Sequence, residues 1–249
     1  MKIFKGTSLL VLSILFGQLS HANDKTLLAA SGPSKVQLVE LYSSESCSSC
    51  PPADQWISGL KDESGLWKKF VPVVFHVDYW NHLGWKDGLS SQLMTKRQIN
   101  ISRLWPSPAV YTPAVVVDGK EWRDWRNAKQ GFLPSSGKYQ GIALEIYKES
   151  NSSFTVKVTG LKNPKKFVVH AAHLGMDLNS NVTAGENSGL KLKHNFVVLS
   201  WESKTIDRKN LEVQFQFKKP AQNVSRSAIA VWIEEEGNPT PLQAVGAYI

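Results

Sequence analysis

The chain is expected to fold as an α/β N-terminal domain followed by an all-β, sandwich-like C-terminal subdomain. Three observations predict this. Residues 34–133 read as strand, helix, strand, helix and hairpin in that order, an α/β arrangement. After Leu133-Pro134-Ser135-Ser136-Gly137 the texture changes to seven short alternating runs separated by turns, the pattern of a sandwich spanning 138–249. Finally, 42% hydrophobic and 20% charged residues exclude a disordered or fibrous chain.

The elements follow from local patterns. Lys2 and Lys5 precede the apolar run Leu9-Leu10-Val11-Leu12-Ser13-Ile14-Leu15-Phe16, which is too short to span a bilayer, and Ser20-His21-Ala22 supplies small residues at a cleavage site. Residues 1–22 are therefore expected to be a signal peptide, which places the mature protein in a periplasm or outside the cell, with no stable membrane insertion. Residues 23–35 are small and polar and read as a flexible leader. Val36 to Tyr42 alternates with period two, so it is predicted to be a strand. Pro51-Pro52-Ala53-Asp54 opens a helix carrying Trp56, Ile57 and Leu60 and ending near Gly65. Val71 to Val77 is a strand buried on both faces. Leu93, Arg97, Ile101 and Leu104 fall at helical spacing, predicting a helix over 89–105. Pro113 to Val117 is a third strand, turned at Asp118-Gly119 into a hairpin, and 124–132 is a short helix. The later runs are 140–148, 153–159, 167–174, 192–200, 211–218, 227–234 and 242–248.

Charge excludes one class of partner. The net charge of +8 falls to +6 without the two leader lysines, and Lys/Arg exceed Asp/Glu by only twelve to ten in 35–133 and fourteen to ten in 134–249. So thin a surplus, without a basic run, is no nucleic-acid footprint. No phosphate-cradling glycine loop, serine elbow or zinc-protease helix motif is present.

The two cysteines, Cys47 and Cys50, stand three residues apart between a predicted strand and a predicted helix. A bond closing so small a loop constrains little of the unfolded chain, so chemistry explains the pair better than stabilisation. A helix N-terminus favours the thiolate, the species that attacks disulfides. Cys47 is expected to be the exposed attacking thiol and Cys50 the resolving one. Redox domains of this layout, the thioredoxin-like ones, also place a cis proline against their cysteines, and Pro113 in Val110-Tyr111-Thr112-Pro113 is the expected position. Asp78 is a candidate proton acceptor during exchange.

Val39-Glu40-Leu41-Tyr42-Ser43 followed by Cys47-Ser48-Ser49-Cys50-Pro51-Pro52-Ala53-Asp54 resembles the signature of the secreted thioredoxin-like proteins of the domain of unknown function 1223 family. The resemblance continues through His76-Val77-Asp78-Tyr79-Trp80, Gly84-Trp85-Lys86-Asp87, Arg97-Gln98, Val110-Tyr111-Thr112-Pro113, Gly185-Glu186-Asn187 and His194. It implies a thioredoxin-like domain followed by an all-β subdomain. It supplies no established reaction.

The expected activity is thiol–disulfide exchange on exported proteins bearing thiols or disulfides, served by a redox partner and needing no cofactor. Ser48-Ser49 matches neither the dipeptide of strong reductants nor that of strong oxidants in related families. Pro51 keeps Cys50 from the helical region, and Glu45 adds a nearby negative charge, so Cys47 is not expected to be unusually acidic. Two alternatives stay open. Cys47 and Cys50 with His76, which His82 follows closely, form a ligand set suited to copper or zinc. Tyr79, Trp80 and Trp85, with Trp105, Tyr111, Trp122 and Trp125, could line a binding cleft. His170 and His173 point to opposite faces of a strand, His194 reads as a sheet-surface residue, and Gly185-Glu186-Asn187 reads as a turn. Sequons begin at Asn100, Asn151, Asn181 and Asn223.

Overall fold

The computed structural model describes residues 25–219 and 224–249; the expected signal peptide and Asn223 lie outside them. In chain order the elements are β1 (Thr26–Ala30), β2 (Gln37–Ser43), α1 (Pro51–Gly59), β3 (Phe70–His76), α2 (Gln92–Ser102), β4 (Ala114–Val117), β5 (Lys120–Glu121), β6 (Ala143–Lys148) and β7 (Ser153–Thr159). There follow β8 (Phe167–Met176), β9 (Leu178–Asn181), β10 (Lys191–His194), β11 (Val197–Ile206), β12 (Glu212–Gln216), β13 (Arg226–Glu235) and β14 (Asn238–Tyr248). No helix among the described residues is long and apolar enough to cross a membrane.

This architecture overturns the expected fold class. The chain is mostly β, not a thioredoxin-like α/β domain with a separate sandwich after it. A single mixed sheet of eight strands, ordered β14-β13-β8-β11-β3-β2-β4-β5, takes strands from both halves of the sequence. The reason is an edge that local patterns do not reveal. β3 pairs in parallel with β2 along its length, and on its other side Val74 meets Val197 of β11 in parallel. Val74 N–H donates to the Phe196 carbonyl at 2.8 Å. Pro72 lies two residues earlier and so faces the same side, on the stretch where β11 makes no ladder and no donor is needed.

Local readings fared unevenly. The presumed leader supplies β1, which pairs antiparallel with β6 in a four-stranded sheet, β1-β6-β7-β12. The run 192–200 is two strands, because Phe196 takes a left-handed φ of 62° and turns the chain between β10 and β11. The helix expected at 124–132 is a short 3-10 turn at Arg123–Arg126. The hairpin at Asp118-Gly119 forms as read, with positive φ at both residues (49° and 82°), the geometry a two-residue turn of that twist requires.

The large sheet is buried on both faces. Along β13, Ala228, Ala230 and Trp232 enter the core beneath α1 and α2, while Ile229, Val231 and Ile233 pack on the four-stranded sheet. One charged group crosses the larger core. Arg97 of α2, 4% exposed, donates Nε and Nη2 to the Glu40 carboxylate (2.9 and 2.8 Å) and Nη2 to Glu234 Oε1 (2.9 Å). Its guanidinium stacks over Phe75, Trp201 and Trp232. It ties β2 to β13 across the seam.

Replacing Arg97 by Met should cost about 3–5 kcal/mol, because two carboxylates lose their buried counter-ion. A urea midpoint within experimental error of the parent's would show that the network is not needed. Burial alone would raise the Glu234 pKa, but Arg97 and His170 lower it from 4.5 to about 2. Its contribution is therefore complete above pH 4.5 and is lost as pH falls towards 2. Unfolding free energy measured from pH 5 to 2 should decline, and Glu234→Gln should make that decline shallower.

Candidate functional site

The loop between β2 and α1 carries both cysteines. Cys50 adopts helical angles (φ −78°, ψ −37°) despite the proline after it, and its carbonyl accepts the N–H groups of Ala53 (2.9 Å) and Asp54 (3.1 Å). The two prolines occupy the first helical positions, where no N–H is required. Both thiols are free. Cys47 is not the exposed thiol expected: it is 4% accessible and Cys50 is 0%.

The cover comes from far along the chain. Asn187 Nδ2 donates to the carbonyls of Glu45 (2.8 Å) and Cys47 (3.0 Å), and Glu186 Oε2 accepts Ser48 N–H (3.0 Å). Ser46 Oγ donates to the Trp85 carbonyl at 2.7 Å from the other side. Gly185, at φ +75°, passes so close to Leu83 that a Cβ would lie 3.0 Å from its carbonyl oxygen. The Gly185-Glu186-Asn187 turn is thus a clamp on the cysteine loop, a role its sequence does not announce.

The thiols are driven apart in acidity. A hydrogen bond from the Cys50 thiol is the chief cause lowering Cys47 to about 6, with help from Ser49 (Oγ 3.3 Å away) and Thr112, against the opposing effect of burial. Burial, and then the adjacent Cys47, push Cys50 far up. The expectation of an ordinary Cys47 is therefore corrected, and the helix terminus is not the leading cause.

Thr112 connects this pair to the other predicted residue. Its carbonyl lies 3.9 Å from Cys47 Sγ, its hydroxyl accepts Trp80 Nε1–H (2.7 Å), and the Thr112–Pro113 bond is cis. Pro113 also borders an open groove of about 330 Å³ with Tyr111, Arg123, Trp125 and Arg126. Asp78 is differently engaged: its Oδ1 accepts the Thr95 hydroxyl of α2 at 2.6 Å. The aromatic loop is largely structural, with Tyr79 bonded to Gln98 and Trp85 Nε1 donating to Glu45 Oε2 (2.8 Å).

Behind the thiols lies a buried polar cluster that sequence reasoning missed apart from His76. Asp54, one helical turn after Cys50, accepts the Ser43 hydroxyl at Oδ2 (2.8 Å). His76 closes β3 at 0% exposure, its Nδ1 2.7 Å from Asp87 Oδ2, and that same oxygen accepts Glu45 N–H at 2.9 Å. His194 closes β10 at 2% exposure, its ring perpendicular to that of His76 with centroids 5.0 Å apart. It is a core residue, not the sheet-surface one expected. Its Nε2 stands 3.2 Å from Glu45 Oε1. Burial would lower the His76 pKa, but Asp87, with Asp54 and Glu45 beyond it, raises it to about 9. Burial pushes Asp54 up. His76 converges with Asp54 and His194, each offering a ligand atom within 4.8 Å of the others, and not with the two sulfurs. Asp54 was legible, since four residues from Cys50 puts it on the same helix face. His194 carried no such signal.

His170 and His173 do part to opposite faces: His170 stacks on Trp232 and contacts Glu234, while His173 stacks on Phe217.

A crystal structure of a protein from Agrobacterium tumefaciens is similar to this chain, with 22% identity and a TM-score of 0.63, covering 86% of this chain and 95% of that one. HBP35 of Porphyromonas gingivalis is similar at 16% identity and a TM-score of 0.56, covering 88% and 76% respectively. At these identities the likeness is one of fold. No curated protein matches the chain. The profile of the proteins of unknown function called DUF1223 matches residues 38–234, which take in the cysteine loop, the clamp and the buried cluster, and the chain belongs to that family.

Proposed function

We propose that this protein is a thiol–disulfide oxidoreductase acting on exported proteins, with Cys47 attacking and Cys50 resolving. The observation that carries the reading is the setting of the dithiol at the start of α1, with Cys47 Sγ 3.3 Å from Ser49 Oγ and 3.9 Å from the Thr112 carbonyl. This setting favours a thiolate at Cys47 while burial keeps Cys50 protonated. Cys47 as thiolate attacks one sulfur of a substrate disulfide, forming a Cys47–substrate bond and expelling the other substrate sulfur as a thiolate. Cys50 then passes its proton to the expelled substrate thiolate and attacks Cys47 Sγ, forming the Cys47–Cys50 bond and releasing the second substrate sulfur as a thiolate. The substrate disulfide gains two electrons and the dithiol loses two; a thiol donor restores it, and the sequence is reversible. Thr112, whose carbonyl lies 3.9 Å from Cys47 Sγ, precedes Pro113 at the edge of an open groove, which supports substrate docking on that side. The leader expected at residues 1–22 supports an exported setting.

Iodoacetamide labelling mapped by mass spectrometry should modify Cys47 first, with a rate rising through pH about 6. Cys50→Ala should move that inflection up by at least one pH unit, towards the ordinary thiol value of about 8.5. An unchanged inflection would remove Cys50 as the cause. In glutathione buffers the pair should titrate as one two-electron couple between about −120 and −270 mV. Cys47→Ser should abolish exchange and Cys50→Ser should accumulate mixed disulfides; full exchange by Cys47→Ser protein would overturn the reading.

A further inference from the structure

We infer that Asp54, His76 and His194 form a binding site for one divalent transition-metal ion of the zinc type, distinct from the dithiol and opening on a surface pocket. Convergence alone is weak grounds, but three further observations point the same way. First, a lone buried atom lies in the cluster: His76 Nε2 has no hydrogen-bond partner, in a side chain 0% exposed, and the His194 ring beside it, 2% exposed, has Nε2 3.2 Å from Glu45 Oε1. An orphaned buried polar atom is costly, and a metal ion accepts the lone pair of a neutral imidazole nitrogen. Second, two of the three groups are already oriented. Asp87 holds His76 Nδ1 at 2.7 Å, which turns Nε2 to the centre, and Ser43 holds Asp54. A carboxylate behind a ligating imidazole is the usual supporting arrangement at metal sites. Third, there is a route of access. Asp54 and His194 line an open pocket of about 340 Å³ with Pro51, Gln55 and Asn195, so the position not filled by protein faces solvent.

The donor set selects the ion. Two imidazoles and one carboxylate suit zinc and its first-row neighbours, whereas calcium and magnesium require shells of oxygen. Zinc bonds of about 2.0–2.2 Å set ligand atoms roughly 3.5 Å apart, so closure of about an ångström completes the site. Lys61, Lys191 and Lys193 also line the pocket and oppose a cation there, so binding must rest on direct coordination by the three ligands. The site does not depend on the exchange reading, since neither sulfur belongs to it.

The test is a titration of chelator-stripped protein with Zn²⁺ against a chromophoric competitor, repeated on Cys47→Ser/Cys50→Ser, Asp54→Asn and His194→Ala. One equivalent should bind to the parent and to the double serine variant alike. Asp54→Asn and His194→Ala should weaken binding at least about 100-fold, the upper end of what loss of a mere supporting partner costs. X-ray absorption on the zinc-loaded parent reads the ligands without any variant: it should give nitrogen and oxygen near 2.0 Å and no sulfur near 2.3 Å. Absence of binding to the parent, a sulfur shell, or undiminished binding by both ligand variants would each overturn the inference.

Discussion

The hydrogen bond from Val74 N–H to the Phe196 carbonyl, 2.8 Å long, is where the two halves of the chain become one sheet. It requires Phe196 to sit fully buried in a left-handed conformation, which costs an aromatic residue roughly 1–2 kcal/mol. The seam also sets the site. His76 lies two residues after Val74, and the left-handed turn at Phe196 folds β10 back so that the His194 ring meets that of His76, centroids 5.0 Å apart. α1 then lays Asp54 and the thiols over that end. Without the seam, β3 would present an open edge and the dithiol loop would lose the strand pair that supports its cover.

Two of the buried charged clusters share their charge among elements distant in sequence. Arg97 is enclosed by carboxylates and aromatic faces from four strands, so its desolvation is offset by ion pairs and stacking together. Beneath the thiols, Asp87 accepts both the Glu45 amide and His76, which locks the cysteine loop to β3. In the first cluster both carboxylates are paired with Arg97, although Glu234 and His170 also border a surface pocket; the second retains an unpartnered nitrogen, His76 Nε2.

Period-two alternation revealed most strands, and the order Cys47-x-x-Cys50 before Pro51-Pro52 revealed α1, because these features depend on neighbours in sequence. The fold class was illegible for the opposite reason. Pairing of β3 with β11 joins residues 123 positions apart, Val74 and Val197, and nothing in either segment names the other. Residues 26–30 look like a leader because β1 is a short edge strand, largely exposed on one side, and needs little apolar sequence. The cysteines and Pro113 could be nominated from spacing. Asn187 and His194 could not, since an isolated Asn in a turn and a His in an alternating strand have the same appearance wherever they fold.

The clamp on the cysteine loop has a consequence for biogenesis. Ser48 and Glu186 are separated by 138 positions, and Glu45 and Asn187 by 142. A chain emerging N-terminus first therefore presents its dithiol long before the residues that cover it exist, and contacts of such separation form late because loop closure precedes their reward. Until β10 and the preceding turn arrive, the backbone of the cysteine loop lacks its clamp. A C-terminally truncated product would keep the partners that act on Cys47, namely Cys50, Ser49 and Thr112, but would lose the clamp that fixes the backbone around them.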